Sequence, residues 1–306
     1  MQDLAWLVLA AGRGKRMKSS VPKVRHKLAG KPILNHVLDS LTSLEVKRKI
    51  VVLGYKEKAV REILSPDIEV VIQPTQEGTA HAVRQAEISL ADFEGDCLVL
   101  SGDLPLLTAQ TIEGFISFHR ERKNVASLLV APIEDTNESP LIYCFQATFL
   151  FWALGEVKPH SEDEEEDLND CIAILKDRGH QVETVVVSDP TEAIDINTRV
   201  DLAKAEGILK SRTINRLMVG GVTIIDPDSV FIDATVTIEP DTVIYPFTTI
   251  LGKTKIEKDC VIGPQVFLLN AEVGAGATIY TSFISDAKVK PGANIGPFAH
   301  ISNQPQ

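Results

Sequence analysis

Short apolar runs alternate with stretches of helical periodicity along the first two thirds of the chain. Continuous apolar runs predict buried strands, and apolar residues spaced three and four apart predict amphipathic helices. The predicted strands are residues 6–9, 50–53, 70–72, 97–100, 126–130 and 182–187, and the predicted helices are residues 33–44, 59–64, 80–89, 111–120 and 200–209, with another beginning near 168. This alternation favours an α/β fold with a mainly parallel sheet and helices on both faces. Ligands bind such sheets at the carboxyl ends of the strands, so functional residues are expected in the loops that follow them.

From residue 230 onward the apolar period becomes six. The repeating aliphatic positions are Ile232, Ile238, Ile244, Ile250, Ile256, Ile262 and Leu268. Such a ladder predicts a hexapeptide β-helix, in which each turn stacks an aliphatic side chain on the one below. The spacing shifts after Leu268 and resumes at Val289, Ile295 and Ile301. We therefore predict two domains, residues 1–220 and residues 221–306.

The charge of the chain is unevenly distributed. The net charge is −11, which argues against a nucleic-acid partner because such surfaces are normally basic. Residues 12–31 are nevertheless strongly basic, whereas residues 162–167 form a dense acidic run. This asymmetry fits a small polyanionic substrate that is attracted to one basic binding site. We interpret the acidic run as the solvated start of the helix near 168, since carboxylates are favoured at helix N-termini.

The sequence contains no features of a membrane or secreted protein. No apolar run approaches the ~18–20 residues of a membrane span, and the N-terminus lacks the layout of a signal peptide. We therefore expect a cytoplasmic protein with no membrane partner. The four cysteines are isolated, so buried free thiols are expected rather than disulfides or a zinc site: Cys97, Cys144, Cys171 and Cys260.

Two glycines, Gly12 and Gly14, directly follow the first predicted strand and indicate a tight turn leading into a helix. Glycine lets backbone N–H groups approach an anion closely, and the positive end of a helix adds to the attraction. Four basic residues supply further positive charge: Arg13, Lys15, Arg16 and Lys23. The turn thus predicts a phosphate-binding site. The alternative is an ordinary strand-to-helix turn with a solvated basic face.

Two well-known phosphate loops are excluded. The dinucleotide fingerprint G-x-G-x-x-G requires a third glycine where this chain has Met17, and the P-loop pattern G-x-x-x-x-G-K-[ST] is absent. Neither NAD nor a Walker-type ATPase is therefore favoured.

Polar residues also follow three later strands. Gln73 offers an amide donor and acceptor that suit the edge of a pyrimidine base, and the nearby His81 is interpreted as structural. Asp103 follows a buried strand beside Gly102, where it could bind a hard cation such as Mg²⁺ or simply cap the next turn. Asn197 precedes a predicted helix and could be its N-cap.

The string L-A-A-G-x-G-x-R-M over residues 9–17, with Pro22-Lys23 and residues 28–32, resembles the signature of nucleotidyltransferases that join a sugar 1-phosphate to a nucleoside triphosphate. More narrowly, it resembles the uridyltransferase half of the bacterial N-acetylglucosamine-1-phosphate uridyltransferase family, whose members also have an acetyltransferase half. The resemblance implies a Rossmann-like nucleotidyltransferase domain followed by a short left-handed hexapeptide β-helix.

The resemblance also implies a reaction and a set of residues. UTP and a sugar 1-phosphate, most simply N-acetylglucosamine 1-phosphate, would yield a UDP-sugar and pyrophosphate with Mg²⁺ as cofactor. Asp103 and Asn197 would hold the metal, while Arg16 and Lys23 would offset the charge on the transferring and leaving groups. The nucleotide would be bound by Leu9, Ala10, Ala11, Gly12, Arg13, Gly14, Lys23, Gln73, Gly78, Thr79 and Gly102. No general base is required, because a sugar phosphate is already an anion at pH 7.

The resemblance is interrupted at one internal stretch and does not reach the last coils of the family's β-helix. The family carries a longer stretch after residue 133 that grips the amino sugar, and its glycine, glutamate and asparagine have no counterparts here. An active uridyltransferase and a nucleotide-binding scaffold that has lost the sugar site are therefore both open. The family's β-helix builds trimers, which we expect here too. Its acetyl-transferring residues fall in later coils, so we expect no acetyltransferase activity.

Overall fold

The computed structural model describes residues 3–132, 140–157 and 165–303. The chain divides into two compact units, one of Met1–His26 with Pro32–Leu202, the other of Lys27–Lys31 with Ala203–Gln306. This division differs from the predicted boundary at residue 220. The reason is that Ile214 and Leu217 of the last long helix belong to the apolar core of the second unit.

The first unit is built on one seven-stranded sheet, whose strands we number in chain order. They are β1 (Leu4–Ala10), β2 (Arg48–Leu53), β3 (Glu69–Ile72), β4 (Asp96–Ser101), β5 (Ala126–Val130), β6 (Ile142–Gln146) and β7 (Val182–Val186). Their spatial order is β3-β2-β1-β4-β6-β5-β7. All neighbours are parallel except β6, which runs antiparallel to β4 and to β5. The predicted mainly parallel sheet is confirmed, while β6 was not predicted.

Seven α-helices lie within the described residues; six belong to the first unit, and the last runs from the first unit into the second. They are α1 (Ile33–Ser40), α2 (Glu57–Arg61), α3 (Thr79–Arg84), α4 (Ala109–Arg122), α5 (Ala147–Glu156), α6 (Leu168–Asp177) and α7 (Arg199–Val219). Helix α5 was not predicted. Helix α3 is shorter than predicted, because its expected second half forms a separate 3₁₀ turn at Ile88–Leu90.

Apolar side chains cover both faces of the sheet. Along β1, Trp6 and Val8 belong to one buried cluster, and Ala5 and Leu7 belong to another. Residues of α1 and α4 complete the first cluster, and residues of α3, α5 and α6 complete the second. A sheet buried on both faces needs continuous apolar strands rather than alternating ones, which explains the apolar runs of the sequence.

The second unit contains three parallel sheets made of very short strands. The first sheet joins Thr223–Ile224, Val243–Ile244, Val261–Ile262, Thr278–Ile279 and Asn294–Ile295; the second joins Phe231–Ile232, Thr249–Leu251, Phe267–Leu269, Phe283–Ser285 and His300–Ser302; the third joins Thr237–Ile238, Lys255–Ile256, Glu272–Val273 and Lys288–Val289. Aliphatic residues pair down each sheet, as in Ile250 with Leu268 and Leu268 with Ile284. The predicted hexapeptide architecture is confirmed; its left-handed sense stays a prediction.

The stack continues through the part of the sequence where the spacing of six is lost. Val273 pairs with Ile256, Ile279 with Ile262, and Ile284 with Leu268, so no coil is missing. The aliphatic positions there lie five rather than six residues apart at three steps, because these corners are one residue shorter.

Two expectations from composition can be compared with the fold. All four cysteines are free and buried, as predicted. Among the described residues, no helix has both the length and the apolar character that crossing a membrane requires.

Candidate active site

The glycine turn after β1 does not lead into an α-helix, so that part of the prediction is wrong. A single 3₁₀ turn, Lys15–Met17, follows, and the first α-helix begins only at Ile33. Gly14 before the turn and Lys18 after it both have left-handed backbone conformations, with φ of 63° and 48°, which a continuing helix cannot include. Any attraction for phosphate therefore comes from loop N–H groups and basic side chains, not from a helix terminus.

Gly14 lets a lysine pack against the turn. A Cβ on Gly14 would lie 2.6 Å from the Cβ of Lys23, which is closer than real contacts allow. Lys23 begins a second 3₁₀ turn, Lys23–Arg25, and its side chain is only 13% exposed. The glycine pattern and the distant lysine therefore form one structural feature.

The Lys23 ammonium lies between the two residues expected to hold a metal. It forms an ion pair with the Asp103 carboxylate and donates a hydrogen bond of 3.1 Å to the Asn197 Oδ1. The loops that carry these two residues are joined directly, because the Ile196 N–H donates to the Asp103 carbonyl oxygen at 3.0 Å. Residues that are 80 and 174 positions from Lys23 in the chain thus converge on one cationic group.

Asn197 is not the N-cap of α7. That position is taken by Thr198, whose hydroxyl accepts from the Asp201 N–H at 3.2 Å while the Asp201 carboxylate accepts from the Thr198 N–H at 2.7 Å. This reciprocal pair satisfies the first helical donors, which leaves the side-chain Oδ1 of Asn197 for Lys23. The arrangement supports the site interpretation of Asn197.

Gln73 lies buried where β3 ends, with 4% of its surface exposed. Its amide nitrogen lies 3.1 Å from the Gly78 carbonyl oxygen and 3.1 Å from His81 Nδ1. Three residues further on, the Gln76 amide donates to the Ala11 carbonyl oxygen at 2.8 Å. The loop after β3 is thereby tied to the glycine turn after β1.

The described end of the acidic run packs against this loop. The Glu166 N–H donates to the Glu77 carbonyl oxygen at 2.8 Å, and the Glu166 carbonyl oxygen accepts from the Ala80 N–H at 3.0 Å. The Glu166 side chain, 14% exposed, pairs with Arg84 at 3.0 Å. The expected solvated face is therefore wrong for Glu166. Asp167 is exposed and caps α6 as predicted, and residues 162–164 lie outside the described residues.

Two adjoining cavities open at the carboxyl ends of the parallel strands. The first, of about 290 Å³, is lined by Leu9, Ala10, Ala11, Gly12, Lys23, Val24, Gln73, Gln76, Gly78, Thr79, Ala82, Ser101, Asp103 and Glu165. The second, of about 460 Å³, is bounded mainly by apolar residues of β1, β4 and β6, with Asp167 and Asp195 at its rim. Leu9, Thr79, Ser101 and Asp103 line both cavities. The two spaces therefore meet beside the Lys23–Asp103 pair.

Comparison with known proteins identifies the family of this chain. Residues 6–168 match the MobA-like NTP transferase domain, and residues 235–270 match the bacterial transferase hexapeptide model. The chain is 39% identical to the bifunctional protein GlmU of Brevibacillus brevis, over 98% of this chain and 72% of that protein. GlmU proteins of Exiguobacterium sibiricum and a Nostoc species are 38% and 36% identical, over 97% and 98% of this chain and 73% and 72% of those proteins.

The chain belongs to the GlmU family. It is a nucleotidyltransferase whose transferase domain precedes a hexapeptide-repeat region. The alignment with the Brevibacillus GlmU has 332 positions, more than the 306 residues of this chain. That relative therefore contains residues that this chain lacks, in keeping with the shortened stretch noted after residue 133.

Most of the predicted nucleotide residues of this GlmU homologue line the smaller cavity. They are Leu9, Ala10, Ala11, Gly12, Lys23, Gln73, Gly78 and Thr79. Gly102 lies beneath them, where its N–H donates to the Leu9 carbonyl oxygen at 2.8 Å and a Cβ would approach that oxygen to 3.2 Å. Arg13 is exposed, with its guanidinium 5.3 Å from the centre of the Tyr55 ring. Arg16 is also exposed, and it is not among the described residues that line either cavity.

The larger cavity contains residues that the sequence did not single out. Among the described residues that line it, Asp103, Asp167 and Asp195 carry charge and none is basic. The Tyr143 hydroxyl donates to Asn169 Oδ1 at 3.0 Å, and burial raises the pKa of that phenol. Asp195 could have been found because it lies two residues before Asn197. Tyr143 could have been found because it matches the tyrosine that ends the N-T-G-I-Y segment of the family.

Replacing Gly78 by alanine should disrupt the smaller cavity of this GlmU homologue. Gly78 has φ of 107°, and a Cβ there would lie 2.2 Å from the Glu166 carbonyl oxygen. A strained backbone conformation costs about 1–3 kcal/mol in unfolding free energy. We expect kcat/KM for the nucleotide to fall on the order of 10- to 100-fold, because displacing Glu165–Asp167 shifts groups that line both cavities. Steady-state kinetics and chemical denaturation measure the two effects.

Gly114→Ala is the matched control. Gly114 lies inside α4, and a Cβ there meets nothing within 4 Å. Alanine should leave the kinetics unchanged and raise stability by up to about 1 kcal/mol, because alanine is the better helix former. Wild-type kinetics in Gly78→Ala would mean that the contact with Glu166 does not shape the site.

Proposed function

We propose that this chain transfers a uridylyl group from UTP to a sugar 1-phosphate, with N-acetylglucosamine 1-phosphate as acceptor, giving UDP-N-acetylglucosamine and pyrophosphate. The observation that carries the proposal is the position of Lys23. Its ammonium is bound by Asp103 and Asn197 where the two cavities meet. A cation that is only 13% exposed, at the junction of a nucleotide cavity and a second cavity, is suited to transfer of a phosphoryl-type group between two substrates.

The oxygen atoms around Lys23 are suited to Mg²⁺. The Asp103 carboxylate and the Asn197 amide oxygen already converge on one positive group, and both are hard oxygen ligands. Among the described residues no cluster of three acidic, histidine or cysteine side chains could hold a metal. Two protein oxygens suffice for Mg²⁺, since it keeps waters and phosphate oxygens as its other ligands. When bound by Asp103 and Asn197, the ion would neutralise charge on the phosphates of UTP.

The residues of the chain would divide the remaining work. Gln73 and Gly78 would hold the base, and Ala11 and Gly12, which line the same cavity, would face the phosphates. Lys23 would offset charge on the transferring group, and the exposed Arg16 would offset charge on the leaving pyrophosphate from the solvent side. The acceptor phosphate oxygen forms a bond to the α-phosphorus while the bond from that phosphorus to the oxygen bridging to the β-phosphate breaks. No proton transfer to the protein is needed, because the acceptor is already ionised.

The larger cavity would hold the sugar of the acceptor. Its apolar wall suits the ring and the acetamido methyl group, and Asp167, Asp195 and Tyr143 can bond to hydroxyl groups. These residues would take the place of the sugar-gripping stretch that the family carries after residue 133.

Pyrophosphate release is the experiment that tests this function. The purified chain is mixed with UTP, Mg²⁺ and N-acetylglucosamine 1-phosphate, beside a panel of other sugar 1-phosphates. Release with N-acetylglucosamine 1-phosphate supports the proposal, and release with another acceptor alone would replace the sugar in it. If no acceptor causes pyrophosphate release while UTP still binds, the chain is a nucleotide-binding scaffold.

We also propose that the hexapeptide unit assembles the chain into a homotrimer. Exposed aromatic residues on this unit support the proposal, since Phe247 is 67% exposed and Phe298 84% exposed. A light-scattering mass near three times 33.4 kDa would agree with it, and a monomer mass would refute it. The absence of acetyltransferase activity stays a prediction.

A further inference from the structure

The catalytic scheme gives no role to a histidine that lies next to the nucleotide cavity. His81 lies in the first turns of α3, and its side chain is 15% exposed. It does not line either cavity, but its Nδ1 lies 3.1 Å from the amide nitrogen of Gln73, which does. His81 is therefore placed behind a residue that faces the nucleotide rather than against the nucleotide itself.

The surroundings of Gln73 determine which way its amide faces. The Gly78 carbonyl oxygen can only accept, so the amide atom 3.1 Å away must be the NH₂ group. The second N–H of that group points to His81 Nδ1, which then acts as the acceptor. The imidazole proton is consequently on Nε2, where the Glu77 carboxylate 3.8 Å away favours it. The Gln85 amide nitrogen lies 3.0 Å from Nε2 and also donates to the His81 carbonyl oxygen at 3.2 Å, so turning its oxygen toward the Nε2 proton breaks that second bond. Gln85 is partly exposed and Gln73 is buried, so Gln85 is the amide that rotates.

With both amide hydrogens occupied, Gln73 presents only its oxygen to the cavity. Among the described residues no group donates a hydrogen bond to this Oε1, although the side chain is 96% buried. Opposite N3 of a pyrimidine, this acceptor pairs with a ring N–H, whereas opposite position 4 it would accept from the amino group of cytosine. Uracil has a ring N–H at N3, whereas the N3 of cytosine is itself an acceptor. A fixed Gln73 oxygen opposite N3 therefore favours uracil over cytosine.

We propose that His81 is a positioning residue that gives this enzyme its preference for UTP over CTP by holding the Gln73 amide with its oxygen toward the base. The inference rests on the proposed nucleotide site and extends it to a residue that does not touch substrate. Without His81 the amide would lose one of its two anchors and could also present its NH₂ group, which cytosine N3 would accept.

The test compares His81→Leu with His81→Asn. Leucine removes the acceptor, whereas asparagine places an amide oxygen near the position of the imidazole Nδ1. We measure kcat/KM with UTP and with CTP at one fixed concentration of Mg²⁺ and acceptor. In His81→Leu the UTP-to-CTP ratio should fall on the order of tenfold, as expected for one misdirected hydrogen bond, and in His81→Asn it should stay near the wild-type ratio.

A merely structural histidine gives a different result. If His81→Leu lowers kcat/KM equally for UTP and CTP, the ratio does not change and the proposal is wrong. Circular dichroism and thermal unfolding show whether each variant is folded. If the wild-type chain turns over no nucleotide, the same comparison is made on UTP and CTP dissociation constants by calorimetry, so that failure of the proposed reaction and failure of base selection are separated.

Discussion

Asp103→Asn should lower kcat by about 10²–10³, the usual effect of removing one preorganised charged group from a transition-state site. Asparagine keeps the size of the side chain but loses the negative charge that binds the Lys23 ammonium. The same change removes the charged oxygen ligand proposed for Mg²⁺, so more Mg²⁺ should be needed for half-maximal rate. KM for UTP should change less than kcat, because Gln73 and the glycine turn are untouched. Pyrophosphate release at varied Mg²⁺ measures all three quantities.

Asp189→Asn is the control for this substitution. Asp189 is an exposed aspartate whose carboxylate accepts from the Thr191 N–H at 2.9 Å, and asparagine can cap in the same way. Its kinetics should match those of the wild type. If Asp103→Asn kept more than a tenth of wild-type kcat at every Mg²⁺ concentration, neither the ion pair with Lys23 nor the metal role would be catalytically important.

Asp96→Ala should reduce the free energy of unfolding by about 3–5 kcal/mol, the range expected when one partner of a buried ion pair is removed. Asp96 is 1% exposed, accepts from Arg120 Nε at 2.8 Å and lies 3.6 Å from His119 Nε2. The substitution removes the carboxylate that both His119 and Arg120 contact. Urea denaturation at pH 7, followed by tryptophan fluorescence, measures the loss.

The contribution of the Asp96 carboxylate to the free energy of unfolding should depend on pH. Burial raises the pKa of Asp96, but its hydrogen bonds with His119 and Arg120 outweigh burial, and the pKa is lowered overall. The stabilisation is therefore present above the unfolded-state value of about 3.9 and is lost as pH falls through the lower folded-state pKa. The difference in stability between wild type and Asp96→Ala should accordingly narrow below about pH 4.

Asp92→Ala is the matched surface control. Asp92 pairs with Arg48 at 3.3 Å, but its side chain is 77% exposed. Exposed ion pairs contribute only about 0–1 kcal/mol, so little change is expected. Equal losses in Asp92→Ala and Asp96→Ala would show that burial does not strengthen the Asp96 interactions.

Local sequence patterns predicted the elements whose apolar residues all face the protein interior. Strand β5 was predicted with its observed bounds, and the aliphatic ladder of the hexapeptide unit was found before Leu268. Strand β6 was missed because Ile142–Gln146 follows a proline and a stretch where the family resemblance stops. The helix expected after Gly14 was wrong because periodicity does not reveal the left-handed residues at Gly14 and Lys18.

In the candidate site, too, local sequence patterns predicted some features and tertiary contacts decided the others. The sequence by itself determined which loops line the candidate site, because parallel strands place their carboxyl ends at one edge and the glycine, Gln73 and Asp103 motifs each follow such a strand. Only the tertiary structure decided that Lys23 lies between Asp103 and Asn197, that Glu166 packs against Gly78, and that His81 holds Gln73. These contacts join residues from different loops or depend on the conformation of the folded loop, and no periodicity or spacing along the chain encodes the distance between two side chains that meet only after the sheet has formed.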